Sequence, residues 1–188
     1  MTDQHRFDVT TSDGLTLAGF RYGNHDAARP TVLAIHGYPD NHHVWDGVAA
    51  ALDGRANVYT YDVRGAGASS APKALRDYRL EVLSEDLLAV IQAVSPKRPV
   101  HLVGHDWGSI QGWHAVVDPA VADKTASYTS VSGPNLNHAG EYLQGVRSAK
   151  DLPARLRQAA VMGILERGEA RPGEIAFFQA LVITATLL

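Results

Sequence analysis

The spacing of apolar and polar positions predicts an alternation of strands and helices over the first two thirds of the chain. One amphipathic helix is clearest, because apolar residues recur at steps of three and four: Leu80, Leu83, Leu87, Ile91 and Val94. Short strand-like runs bounded by turn residues are predicted at 6–10, 15–21, 31–36, 56–61, 100–103 and 125–131. This order predicts an α/β fold with a mostly parallel, doubly wound sheet.

Turn residues and prolines mark the ends of these elements. Ser12-Asp13-Gly14 lies between the first two strand-like runs and predicts a hairpin. Two further helices are predicted, one at 44–52 and one at 107–117, where Asp118-Pro119 ends the second.

The character of the sequence changes after Pro134, where strand signals fade and helical stretches separated by proline and glycine begin. We therefore predict two units, a sheet-bearing core over residues 1–134 and a partial helical unit over 135–188. The apolar run at 180–188 is too short to cross a membrane, and we expect it to be part of a core helix.

Composition excludes several classes of function. The chain has 188 residues with 45% hydrophobic and 20% charged positions, which is typical of a globular domain with a real core. A formal net charge of −3 gives no sign of a nucleic-acid or anionic membrane partner. The absence of cysteine excludes disulfides and thiolate metal sites, and no signal-peptide or membrane-spanning pattern is present. We therefore expect a cytoplasmic protein.

The candidate chemistry centres on Gly104-His105-Asp106-Trp107-Gly108, between a predicted strand and a predicted helix. A Gly-x-nucleophile-x-Gly turn of this kind is tight, and it projects its central side chain at the carboxyl edge of the sheet. A carboxylate such as Asp106 is a reasonable nucleophile at a saturated carbon that bears a leaving group, as in an epoxide or an alkyl halide. Attack leaves an alkyl ester, which water activated by a general base must hydrolyse.

The loop after the strand at 31–36 carries a second part of the predicted site. Within His36-Gly37-Tyr38-Pro39-Asp40, the backbone N–H of Tyr38 can form an oxyanion hole together with the N–H of Trp107. A glycine-rich loop, residues 62–69, follows the next strand and lies beside this site.

These pieces resemble the epoxide hydrolase group of α/β-hydrolases, in the family's order and over about residues 5–135. The matching motifs are His36-Gly37-Tyr38-Pro39, Asp62-x-Arg64-Gly65-x-Gly67-x-Ser69, Gly104-His105-Asp106-Trp107-Gly108 and Ser132-Gly133-Pro134. The resemblance implies an α/β-hydrolase fold, C-terminally truncated, in which 135–188 is the start of a helical lid. The chain also looks like the hydrolase half of actinobacterial proteins that fuse such a domain to a short-chain reductase.

The resemblance implies a small-molecule substrate, with an epoxide favoured over an alkyl halide. Haloalkane dehalogenases share the aspartate and tryptophan, but in them asparagine typically follows the His-Gly pair. This chain has Tyr38 there, and His105 precedes the aspartate. A dehalogenase-like hydrolase and a non-catalytic relative that binds a small molecule or a partner chain remain the alternatives.

The hydrolytic half of the family's mechanism, a histidine base and an orienting acid, is not visible in the sequence. After Asp106 the histidines are His114, about 12 Å further along the predicted helix, and His138, which we interpret as a solvated polar residue. Tyr142 is a candidate for polarising the epoxide oxygen or contacting substrate, as lid tyrosines do in the family. We expect the chain alone to be alkylated once and then stall, and an incomplete sheet edge to favour self-association.

No cofactor and no metal are predicted. The run 65–70 approaches a dinucleotide fingerprint, but Ser70 stands at its last glycine position and Pro72 follows instead of a helix start. A metal site from His36, Asp40, His42 and His43 is also disfavoured, since adjacent His42 and His43 point in different directions.

Overall fold

A computed structural model gives the fold and describes residues 3–133, 135–136 and 182–185. The strands of this described part are β1 (Gln4–Thr10), β2 (Thr16–Tyr22), β3 (Thr31–Ile35), β4 (Asn57–Tyr61), β5 (Val100–His105), β6 (Thr125–Val131) and β7 (Val182–Ala185). Its helices are α1 (Asp46–Ala51), α2 (Leu80–Val94), α3 (Trp107–Ala115) and α4 (Pro119–Ala122), with 3₁₀ turns at His42–Trp45 and Leu75–Tyr78.

The strands form one sheet in the order β1-β2-β4-β3-β5-β6-β7. The hairpin β1–β2 pairs antiparallel with β4, whereas β4, β3, β5 and β6 run parallel to one another. The predicted mostly parallel α/β sheet is therefore confirmed. After β3 the chain adds β4 on one side and later β5 on the other, so the strand order reverses at β3. In open α/β sheets, ligands bind at the carboxyl ends of the strands beside such a reversal.

The core lies where α2 packs against the sheet. Leu87, Val90 and Ile91 of α2 are fully buried, as are Leu33 of β3 and Leu102 of β5. Burying side chains of this size stabilises the fold by about 1.5–3 kcal/mol each. The predicted amphipathic helix is therefore confirmed over its whole length, from Leu80 to Val94.

Two short helical elements, α4 and the 3₁₀ turn at Leu75–Tyr78, lie outside the predicted helices, because their signals look like turns. Asp118-Pro119 ends α3 as expected, but Asp118 also caps α4, since its side chain accepts a hydrogen bond from the Ala120 N–H. The 3₁₀ turn at Leu75–Tyr78 lies in the loop before α2.

The expectation of a core helix at 180–188 is wrong at Val182–Ala185, which form β7. This strand pairs antiparallel with β6, from Val131 opposite Val182 to Tyr128 opposite Ala185. Two physical reasons favour the strand. Valine, isoleucine and threonine at 182–184 are β-branched, and β7 supplies hydrogen-bond partners to a strand edge that would otherwise be unpaired. The sheet edge that we expected to be open is thus covered along four residues of β6, while self-association stays a prediction.

Several predictions fall outside the described residues. The rest of the predicted lid lies there, and so do His138 and Tyr142. In the part of the chain that the structure does describe, no helix has the length and apolar character that a bilayer span requires.

Candidate active site

Asp106 occupies a strained turn between β5 and α3. Its backbone has φ 54° and ψ −122°, a conformation that residues with a side chain rarely adopt. The turn is held on both sides: the Asp106 N–H donates to the Val131 carbonyl at 3.0 Å, and the Asp106 carbonyl accepts from the N–H groups of Ser109 and Ile110. The aspartate is thus presented at the carboxyl edge of the sheet, beside the N-terminus of α3, which favours negative charge.

The predicted turn at Gly104-His105-Asp106-Trp107-Gly108, which we call the elbow, needs both of its glycines because the packing around them is close. A Cβ on Gly104 would lie 2.6 Å from the Gly108 carbonyl oxygen. A Cβ on Gly108 would strike the end of β3, at 2.5 Å from the His36 carbonyl oxygen. Real Cβ atoms do not approach other atoms this closely, so the spacing Gly-x-Asp-x-Gly packs the start of α3 directly against β3.

The loop after β3 contacts the elbow aspartate directly. The Tyr38 backbone N–H donates to Asp106 Oδ1 at 3.0 Å. Gly37 fits against the same side chain, because a Cβ at this position would lie 2.5 Å from Asp106 Cβ. The Tyr38–Pro39 peptide bond that follows is cis. The structure therefore brings Tyr38 and Asp106 together through a backbone donor and a carboxylate acceptor, while the oxyanion-hole role of the Tyr38 N–H stays a prediction.

Trp107 is the other predicted donor, and it begins α3 directly after Asp106. Among the described residues, the hydrogen bond that reaches the Asp106 carboxylate comes from Tyr38, so the Trp107 N–H stays a prediction. The side chains of Tyr38 and Trp107 are 79% and 55% exposed. Tyr38 is hydrogen-bonded to the Asp106 carboxylate through its backbone, and Trp107 follows Asp106 in the chain. Both residues expose aromatic surface that a substrate can cover.

His36 lies behind this loop and is buried. Its Nδ1 is 2.8 Å from the Gly37 carbonyl oxygen, and its Nε2 accepts the Val63 N–H at 2.9 Å. Burial lowers the pKa of His36 below its usual range, although the charges of Asp62 and Asp40 act in the opposite direction. The imidazole therefore joins the loop after β3 to the loop after β4.

Asp62 organises the predicted glycine-rich loop from its buried position. Its Oδ1 accepts the His42 N–H at 2.9 Å and contacts His42 Nδ1 at 2.8 Å, while its Oδ2 accepts the Ala68 N–H at 2.8 Å. Burial acts to raise the pKa of Asp62, but these donors outweigh it and hold the pKa below its ordinary value. Asp62 and His42 therefore have a structural explanation, and within the described residues no metal-binding cluster of histidine and acidic side chains is found.

Arg64 anchors the same loop to the rest of the molecule, which the sequence analysis missed. Its guanidinium makes two hydrogen bonds to Asp86 of α2, both 2.6 Å, and two to Asp13 of the hairpin, at 2.9 and 3.4 Å. It also donates to the Asp77 carbonyl at 2.9 Å. These bonds raise the pKa of Arg64. One signal could have found this contact: Asp86 is a charged residue on the apolar face of α2, three positions after Leu83.

A second cluster supports the elbow from behind. The Gly133 carbonyl oxygen accepts hydrogen bonds from Ser109 of α3 at 2.9 Å and from Ser130 of β6 at 2.8 Å. The Trp113 indole N–H donates to Ser130 Oγ at 3.0 Å and lies 3.2 Å from the same carbonyl. The Ser132-Gly133 turn is thereby fixed to α3, the helix that begins after Asp106.

His114 is not brought to the aspartate. It lies in the last turn of α3, at the opposite end of the helix from Asp106. No histidine side chain in the described part of the chain is hydrogen-bonded to the Asp106 carboxylate. The interpretation of His114 as a non-catalytic residue therefore stays a prediction that this placement supports.

Comparison with known proteins identifies the family. The sequence profile of the alpha/beta hydrolase fold matches residues 30–160, which is more than half of the chain. The protein "Probable oxidoreductase EphD" of Mycobacterium tuberculosis is 43% identical over 137 residues, covering 73% of this chain and 23% of that protein. "Epoxide hydrolase A" of the same organism is 35% identical over 111 residues, covering 58% of this chain and 34% of that protein.

Solved structures agree with the sequence relatives. An epoxide hydrolase from Vigna radiata superimposes with a TM-score of 0.62 at 27% identity, over 70% of this chain and 41% of that one. The chain thus spans less than half the length of each of these three proteins. On the family profile, the fold and the elbow, the chain belongs to the α/β-hydrolase family.

Proposed function

We propose that this α/β-hydrolase opens epoxides through Asp106, which attacks an epoxide carbon and forms an alkyl-enzyme ester. The observation that carries the proposal is the carboxylate at the elbow whose Oδ1 is held by the Tyr38 N–H. Similarity to proteins named epoxide hydrolases supports the same chemistry. A serine at this position would attack acyl carbons, whereas a carboxylate suits displacement at a saturated carbon.

The two oxygens of Asp106 have different surroundings, which suggests different roles. Oδ1 accepts the Tyr38 N–H, while no hydrogen bond within the described residues reaches Oδ2. Oδ2 is therefore the oxygen that attacks. A new bond forms between Oδ2 and the epoxide carbon, the carbon–oxygen bond of the ring breaks, and the ring oxygen takes that electron pair and a proton from water or a side-chain acid.

The ester would then be hydrolysed by water at its carbonyl carbon, releasing the diol and restoring the carboxylate. Oδ1 becomes the carbonyl oxygen of the ester and develops negative charge as water adds. The Tyr38 N–H, with the Trp107 N–H as the second donor, would stabilise that charge. Among the described residues no histidine is hydrogen-bonded to the Asp106 carboxylate, and the expectation from the sequence that the ester accumulates stays a prediction.

Intact-mass spectrometry after incubation with a small aryl epoxide tests the proposal. We expect a gain of one epoxide mass in the wild-type chain and no gain in Asp106→Asn. Asp40→Asn is the matched control, because Asp40 is an exposed carboxylate of the neighbouring loop and should not change the labelling. A folded wild-type sample that gains no mass, or an Asp106→Asn sample that gains as much, would contradict the proposal.

An alkyl halide in the same assay separates the second candidate, a dehalogenase-like hydrolase. Both substrates leave an ester on the same carboxylate, so the comparison depends on the rate of labelling. Tyr38 near the carboxylate favours the epoxide, and faster labelling by the halide would reverse that preference.

A cytoplasmic location belongs to the same proposal, since the lack of cysteine is compatible with a reducing compartment.

A further inference from the structure

The buried imidazole of His36 makes two hydrogen bonds whose directions are fixed by the backbone. Val63 contributes an N–H, which can only donate, at 2.9 Å from Nε2. Gly37 contributes a carbonyl oxygen, which can only accept, at 2.8 Å from Nδ1. Nε2 must therefore carry the lone pair and Nδ1 the proton, so the neutral Nδ1–H tautomer is the form that satisfies both contacts.

This tautomer also fixes the orientation of the peptide unit between Gly37 and Tyr38. The carbonyl of Gly37 and the N–H of Tyr38 belong to one planar peptide unit, which is trans, so the two groups point in opposite directions. The carbonyl is turned toward His36 Nδ1, and the N–H on the other side donates to Asp106 Oδ1 at 3.0 Å. Rotation of this peptide would break both hydrogen bonds together.

A second donor acts on the same carbonyl, because the Asp40 N–H lies 3.1 Å from the Gly37 oxygen. That bond closes the turn within the loop but does not connect it to the rest of the protein. His36 adds a donor from a buried ring to the same oxygen, at 2.8 Å from Nδ1, and its Nε2 accepts the Val63 N–H of the next loop.

We propose that His36 is a positioning residue that aims the Tyr38 N–H at Asp106 by donating its Nδ1–H to the Gly37 carbonyl. The inference rests on the proposed function, in which the Tyr38 N–H orients the carboxylate and later stabilises the ester oxyanion. His36 does not touch the substrate and acts through the peptide unit that follows it.

Two substitutions separate this role from general support of the fold. His36→Asn places an amide N–H near the position of Nδ1, so it keeps a donor for the Gly37 carbonyl and loses the acceptor for Val63. His36→Gln places its amide oxygen near the position of Nε2, so it keeps the acceptor and loses the donor. Glutamine is closer to histidine in size, so a purely structural role predicts that His36→Gln is the milder change.

The first readout does not depend on epoxide chemistry. The amide proton of Tyr38 should change its NMR chemical shift as Asp106 ionises, because the two are hydrogen-bonded. The charges of Asp40, Asp62 and His42 also act on His36. The contribution of Asp106 to the pH-dependent shift of the Tyr38 amide proton is therefore taken as the difference from Asp106→Asn. We expect this contribution to persist in His36→Asn and to fall at least twofold in His36→Gln. Equal persistence, or equal loss, in the two variants would overturn the proposal.

The second readout is the rate at which Asp106 is alkylated. We expect His36→Asn to stay within about threefold of the wild type, and His36→Gln to be slower by about fivefold to tenfold, as for the loss of one aligned hydrogen bond. His36→Gln equal to or faster than His36→Asn would contradict the inference. If the wild-type chain is not alkylated, the proposed function fails, and the Tyr38 shift still decides the role of His36.

Discussion

The contacts of Arg64 allow a prediction about stability with a built-in control. Its side chain is 1% exposed and meets two carboxylates, Asp86 with 1% exposure and Asp13 with 42%. The substitutions Asp86→Asn and Asp13→Asn remove one negative charge each and keep the side-chain size. They therefore compare a buried partner with a partly solvated partner of the same cation.

The expected costs differ because solvent can replace one partner and not the other. Removing one member of a buried ion pair costs about 3–5 kcal/mol, since it leaves an uncompensated buried charge. Asp86 makes both 2.6 Å contacts to the guanidinium, so Asp86→Asn should lower the free energy of unfolding by about 3 kcal/mol. Asp13→Asn should lower it by about 1 kcal/mol or less, because Asp13 is 42% exposed and water screens its interaction with Arg64.

Urea unfolding followed by circular dichroism measures both changes. With a denaturant slope of about 1–3 kcal/mol/M, the loss for Asp86→Asn corresponds to a midpoint shift of about 1 M or more. The double substitution Arg64→Met with Asp86→Leu should recover much of the loss, because it removes both buried charges. Equal losses for Asp86→Asn and Asp13→Asn would refute the reasoning that burial sets the strength of this contact.

Three further predictions follow from the site. Gly37→Ala should slow alkylation of Asp106 at least tenfold in mass spectrometry, because the added Cβ displaces the carboxylate, and an unchanged rate would contradict this close packing. Burial lowers the pKa of His36, so the unfolded chain binds more protons than the folded chain at low pH. The free energy of unfolding should therefore fall as the pH drops below about 6.5. Urea unfolding at several pH values measures this fall, which should be weaker in His36→Asn. Trp113→Phe should cost about 1 kcal/mol in unfolding free energy through loss of the indole N–H bonds at Ser130, and no loss would show that these bonds contribute nothing net.

The elbow could be predicted from the sequence because its requirements are local. Gly104 and Gly108 are needed where β5, α3 and β3 approach each other, and the residues between them place Asp106 at the turn. The contact between Tyr38 and Asp106 could also be predicted, since parallel strands bring their carboxyl ends to one edge of the sheet.

The supporting contacts could not be predicted because they join residues far apart in the chain. Arg64 reaches Asp13 and Asp86 from a loop whose motif indicates only a turn. Val182–Ala185 pairs with β6 across a long separation in sequence, and an apolar run of this length does not distinguish a buried helix from a strand by periodicity. The tautomer of His36 follows from its two backbone partners, and neither is visible in the pattern of residues.

Asp106 is proposed to be the nucleophile whose carboxylate forms the covalent ester. Peptide mapping by tandem mass spectrometry of the epoxide-treated chain tests it most directly, because it assigns the added mass to one residue. We expect the adduct to lie on Asp106, to be absent in Asp106→Asn and to be unchanged in Asp40→Asn. An adduct located on other side chains, with Asp106 unmodified in a folded sample, would contradict it.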